Sequence, residues 1–231
     1  MAKSLELEYD IIMIDARGHG HSDACEKGYQ KQDHAADLAG LIETLRLDKP
    51  SLIGHSMGAS NVAVLAGNYP DLVGKIILED PPWRSSSSVS TREKNAIITN
   101  WRQDIVETRK KTREDIMEYG RIHNPTWDEI EFGPWADSKR LVNPDVLGFL
   151  SETTSWQKDV QKIKCSSLLL TADVGRGAIV SLEVAESVVV SNANFQMVHI
   201  EGAGHNIRRE QFEKYVELIR GFLPDTGGSK W

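Results

Sequence analysis

The apolar residues of this chain gather in short runs, separated by longer stretches in which they return every third or fourth position. Strands are expected at residues 9–15, at 50–54, at 73–78, at 167–171 and at 195–200. In the first of these, Ile11-Ile12-Met13-Ile14, the apolar residues run together rather than alternate, which marks a strand buried on both faces, as in a parallel sheet. Between the strands the spacing turns helical. Leu38, Leu41, Ile42 and Leu45 share one face of a helix that Asp33 or Asp37 can cap or begin. A second helix starts at the residues after Ser56 and stops near Gly67-Asn68-Tyr69-Pro70, where proline cannot continue it. A third lies around residues 181–189, and Phe212, Tyr215, Val216, Ile219 and Phe222 give the last helix an apolar stripe. Strand alternating with helix predicts an α/β fold, a mostly parallel sheet flanked by helices and joined by right-handed crossovers.

The pattern changes after Trp83. Ser85-Ser86-Ser87-Ser88 is a polar link, and from there to about residue 160 the chain is helical and charged. Four of the six tryptophans fall in this stretch: Trp101, Trp127, Trp135 and Trp156. The expected organisation is therefore a core of residues 1–83 and 161–231, interrupted by a helical cap over residues 84–160. The last residues, 225–231, have no periodicity and are expected to fray.

Composition narrows the choices. A chain of 231 residues can bury a substantial core, and 40% hydrophobic with 26% charged residues is the balance of an ordinary globular protein. A net charge of −7 argues against a nucleic-acid surface. No apolar run approaches the ~18 residues that would span a membrane, and residues 1–8 lack the apolar stretch of a signal peptide. Cys25 and Cys165 are far apart and have no metal-type spacing, so they are expected to be free thiols in a reducing cytoplasm.

The chemistry centres on Gly54-His55-Ser56-Met57-Gly58, which follows the run Leu52-Ile53 and opens a helix. A serine on a sharp strand-to-helix turn stands exposed above a sheet edge, near the positive end of the helix dipole. The Met57 N–H is free to donate to a developing oxyanion there. Gly54 and Gly58 are expected to let strand and helix approach closely. Such a serine needs an imidazole to take its proton and a carboxylate to orient that imidazole. His205, in Gly202-Ala203-Gly204-His205, is set in a loop able to present its ring, whereas His199 lies inside a strand pattern and reads as structural. A second glycine-rich loop, Ala16-Arg17-Gly18-His19-Gly20-His21-Ser22-Asp23, follows the first strand, at the edge of an open α/β sheet where ligands bind. His55, Trp83, Trp101 and Trp135 are candidate pocket residues.

Together these motifs resemble the α/β-hydrolase superfamily, in its capped branch of small esterases, lactonases and carbon–carbon hydrolases. The resemblance rests on residues 15–23, on 54–58, on Leu78-Glu79-Asp80-Pro81-Pro82-Trp83 and on 202–205. It implies a serine hydrolase acting on an ester or lactone, with Ser56 as nucleophile, His205 as base and the Met57 N–H as oxyanion donor. The aromatic residues of the cap add the expectation of an apolar or aromatic acyl group. No metal or organic cofactor is implied. The acid is assigned to Asp173, in the turn after the 167–171 strand, with Asp80 as the alternative, since a minority of the superfamily places it there. The chain opens at what resembles the helix before the family's fourth strand, without the His-Gly loop that supplies a second oxyanion N–H. This leads to three further expectations: direct pairing of 9–15 with the strand before Ser56, low turnover, and self-association through exposed sheet edge. A weakly active or non-catalytic homologue that keeps the pocket for ligand binding is one alternative function. Carbon–carbon hydrolysis is the alternative reaction.

Overall fold

A computed structural model describes residues 1–85, 91–151 and 155–223. It divides into two compact units. Residues 1–13, 35–85 and 154–231 form the first, and residues 14–34 and 86–153 the second.

The first unit contains a sheet of four parallel strands in the order β1-β2-β3-β4: β1 Leu52–His55, β2 Lys75–Glu79, β3 Ser166–Ala172 and β4 Phe195–Ile200. Successive side chains point to opposite faces, and both faces are covered. Ile76, Leu78 and Leu169 pack into one apolar cluster with Ala63, Leu65 and Val188. Ile77, Leu168 and Leu170 pack into another with Leu5, Tyr215 and Ile219. This double burial is why the strands read as apolar runs. The first cluster lies against α3 (Met57–Asn68), α7 (Trp156–Lys162) and α8 (Leu182–Ser191). The second lies against α1 (Ala2–Leu5), α9 (Ile207–Glu210) and α10 (Phe212–Phe222). The α/β fold with a parallel sheet is thus as expected.

One strand is not. Residues 9–15 pair with no strand, and Ile12, Met13 and Ile14 are 47%, 79% and 49% exposed. Direct pairing with β1 therefore does not occur. An apolar run expresses a preference for burial only, and a strand forms where a neighbour completes its ladder of hydrogen bonds. Tyr9 and Ile11 still rest against the second cluster.

The second unit is helical. It holds α4 (Thr91–Thr108), α5 (Arg113–His123) and α6 (Glu129–Leu141), while α2 (Lys31–Thr44) begins here and continues into the first unit. Thr112 and Asp115 form a reciprocal capping box at the start of α5, and Asp128 caps α6. Trp127 stacks on Phe132 and meets Trp135 edge-on, with centroids 5.9 and 6.0 Å apart. Tyr29, Val146 and Leu147 make a separate small core. The expected fraying over residues 225–231 and part of the serine link fall outside the described residues. Among the described residues, no helix is long and apolar enough to cross a membrane.

Candidate active site

The sheet delivers three side chains to one place in the first unit. Ser56 follows β1 and opens α3 with φ 53° and ψ −120°, a conformation that L-residues avoid. The turn is forced by close approach. A Cβ built on Gly54 would lie 2.5 Å from the Gly58 carbonyl oxygen, whereas one on Gly58 would meet nothing. Gly54 alone, and not Gly58, provides the expected clearance between strand and helix. Met57 is the first residue of α3, and the first N–H groups of a helix have no intrahelical acceptor.

His205 follows β4 and its turn. The hydroxyl of Ser56 donates to His205 Nε2 at 3.0 Å, and His205 Nδ1 donates to Asp80 Oδ2 at 2.6 Å. Because the carboxylate can only accept, it assigns the proton to Nδ1 and leaves Nε2 free to take one from serine. Asp80 is fully buried, has φ 39°, and also accepts from the N–H groups of Ile179 and Val180 at 2.9–3.0 Å.

The carboxylate on His205 is thus that of Asp80, the alternative, and not that of Asp173. Asp173 precedes a short 3₁₀ turn (Val174–Arg176) after β3, and its side chain turns toward the sheet edge. There Oδ1 accepts from His199 Nε2 at 3.0 Å and Oδ2 from the Gly202 N–H at 2.8 Å. These bonds, the Gly202 amide first, hold its carboxyl below the ordinary carboxylate range. Nδ1 of His199 accepts in turn from the Thr171 hydroxyl at 3.1 Å, in keeping with its structural reading. Register explains the difference. β2 lies next to β1, so Asp80 stands beside the serine turn, while β3 is one strand further out. Asp173 instead holds the loop that carries the base, since its own N–H donates to the Ala203 carbonyl at 3.0 Å.

The candidate pocket residues separate. His55 Nε2 donates to the His205 carbonyl at 2.8 Å, with the two rings 4.6 Å apart. Burial, then the charges of Arg208 and His205, push its pKa down from 6.5 to about 2, so it stays neutral. Trp83 is 2% exposed and stacks on Trp156 at 5.4 Å, as a core residue. Trp101 and Trp135 belong to the helical unit, Trp101 being half-exposed and Trp135 packed on Trp127.

Glu79 and Arg208 had no assigned role. Glu79 Oε1 accepts from the Arg208 N–H at 3.1 Å and Oε2 from Arg208 Nη1 at 3.0 Å. The sequence signal was an acidic pair ending an apolar strand, which is costly to bury without partners.

A strained serine at a strand–helix turn, on a parallel sheet, with a histidine and an aspartate from later strand ends, defines the α/β-hydrolase class. The alpha/beta hydrolase fold family matches residues 1–113. Over 92% of this chain and 80% of its own length, a putative 2-succinyl-6-hydroxy-2,4-cyclohexadiene-1-carboxylate synthase of Bacillus subtilis is 39% identical. The chain belongs to the α/β-hydrolase family and is an α/β-hydrolase enzyme. A 2-(acetamidomethylene)succinate hydrolase of Mesorhizobium japonicum is 47% identical over 72 residues, which are 31% of this chain and 26% of that protein. Among solved structures, an esterase from Thermogutta terrifontis is 26% identical with a TM-score of 0.64, over 90% of this chain and 77% of that one.

Proposed function

We propose that this chain is a serine hydrolase that cleaves a carboxylic ester or lactone through an acyl-enzyme, with Ser56 as nucleophile, His205 as base and Asp80 as acid. The observation that carries the reading is the continuous hydrogen-bonded path from the Ser56 hydroxyl through His205 to Asp80. Ser56 Oγ attacks the acyl carbon while its proton passes to His205 Nε2. The carboxylate of Asp80 stabilises the imidazolium, and the Met57 N–H donates to the oxyanion. The imidazolium then protonates the leaving oxygen, and water drawn in by the neutral ring releases the acid and frees the serine. No step requires a metal or organic cofactor. An apolar or aromatic acyl group is proposed on the aromatic content of residues 84–160 in the sequence.

Fluorophosphonate labelling, read by intact mass, tests the nucleophile. Wild type should gain one adduct and Ser56→Ala none. Equal labelling of both, or none of either, would remove the proposal. A Burkholderia cepacia relative named a 2-hydroxy-6-oxo-6-phenylhexa-2,4-dienoate hydrolase, 27% identical and covering 93% of this chain, favours a second reading: carbon–carbon bond hydrolysis at the same serine. Product analysis on ester and diketone substrates separates the two.

A further inference from the structure

Two carboxylates side by side at the end of β2, Glu79 and Asp80, are both 0% exposed. Only Asp80 has a part in the proposed chemistry. A buried carboxylate is costly unless paired, and stability alone is often served as well by apolar side chains of the same volume. We infer that Glu79 and Arg208 form a positioning device that holds Ser56 and His205 in register for proton transfer. The inference rests on the hydrolase reading above.

The geometry has three parts. First, the main chain of Glu79 holds the nucleophile: its carbonyl accepts from the Ser56 N–H at 2.9 Å, and Glu79 is the register partner of His55 across β1 and β2. Second, its side chain holds the loop of the base, through the Arg208 N–H at 3.1 Å and Arg208 Nη1 at 3.0 Å. Third, the neighbouring Asp80 bonds the His205 ring at 2.6 Å. The segment from His205 to Arg208 is therefore gripped at both ends by adjacent residues of one strand end. His55 adds a tie from β1, with Nε2 donating to the His205 carbonyl at 2.8 Å. The phenol of fully buried Tyr215 lies within electrostatic reach of Glu79, and burial followed by that carboxylate's charge pushes it well up from its ordinary value.

A proton passes between serine and imidazole only when their separation and angle are right, and a misplacement of about 1 Å costs about 10²-fold. Among the described residues, without the Glu79–Arg208 bonds the only hydrogen bond from the segment His205–Arg208 to the end of β2 would be that of the imidazole to Asp80. Glu79 and Arg208 touch no reacting atom in this scheme, so they act on turnover and not on substrate affinity.

The test uses Glu79→Gln, Arg208→Met and the double variant in the full chain. Three readouts apply: kcat per fluorophosphonate-titrated site, KM, and the downfield proton NMR signal of the His205 Nδ1–H. The expected result is a kcat about 10²-fold lower in each single variant, with KM within about twofold of wild type and the downfield signal shifted or lost. The double variant should be no worse than either single one, because the two residues act as a unit. Wild-type kcat per titrated site in folded single variants would overturn the inference, even if their melting temperatures fall. Should Glu79→Gln fail to fold, Arg208→Met decides on the same readouts. If Ser56→Ala retains full activity, the hydrolase reading has failed and not this one. The NMR signal then judges the clamp alone, and its unchanged position in both single variants would overturn it.

Discussion

His205 Nδ1 lies 2.6 Å from the carboxylate of Asp80, while the carboxylate of Asp173 is bonded to a different histidine, His199. Asn at position 80 would favour the wrong imidazole tautomer, so Asp80→Asn should lower kcat about 10⁴-fold on a short-chain activated ester. Asp173→Asn keeps an oxygen for the Gly202 N–H and should lose far less. Steady-state kinetics on both variants decides, and a larger loss at Asp173 would return the acid to that residue.

The glycines of the serine turn should respond oppositely to alanine. Gly54→Ala places a methyl 2.5 Å from the Gly58 carbonyl oxygen and should cost about 1–3 kcal/mol as well as activity. Gly58→Ala enters open space within α3 and should be neutral or stabilise by up to about 1 kcal/mol. Urea unfolding of both variants is the measurement.

His55 makes stability depend on pH. Its pKa is about 2 when folded against an ordinary 6.5, so between those values the unfolded chain binds more protons. The contribution of the neutral ring is complete above pH 6.5 and is lost as the pH falls below it, by at most about 1.4 kcal/mol per unit. His55→Gln keeps a donor for the His205 carbonyl without a titrating ring. The variant should show a shallower fall in unfolding free energy between pH 6.5 and 4.5, and slopes identical to wild type would contradict this.

The proposed acyl preference predicts higher kcat/KM for phenylacetyl than for acetyl esters of one leaving group. A ratio near one in wild type, or a preference for charged acyl groups, would remove the basis for an apolar or aromatic substrate.

The apolar surface at Ile12, Met13 and Ile14, together with β1 at the edge of the sheet, should make the protein associate. Light scattering is expected to give a species larger than a monomer, and Met13→Glu should reduce it. A monodisperse wild-type monomer would end the idea.

Local chemistry accounts for what the sequence determined alone. Gly54-His55-Ser56-Met57-Gly58 carries its own turn, since only glycine fits the close approach at position 54. The runs at β2, β3 and β4 carry their own burial, and the stripe of Tyr215, Val216 and Ile219 carries its helix. His205 was legible because a glycine-rich loop after a strand has few other uses. The partners of these residues were not legible. Asp80 and Asp173 each follow an apolar strand, and nothing local says which one meets His205. The sheet order decides it, because β2 and not β3 lies beside the serine strand. Residues 9–15 have the composition of a strand but no ladder partner among the described residues, and the stacking of Trp83 on Trp156 joins positions 73 apart in the chain. Glu79 and Arg208 lie 129 positions apart, and only the folded sheet brings them together. Burial and turn preferences are properties of neighbouring residues. Hydrogen-bond partners are chosen between strands far apart in the chain, by register and by the need to satisfy each buried charge.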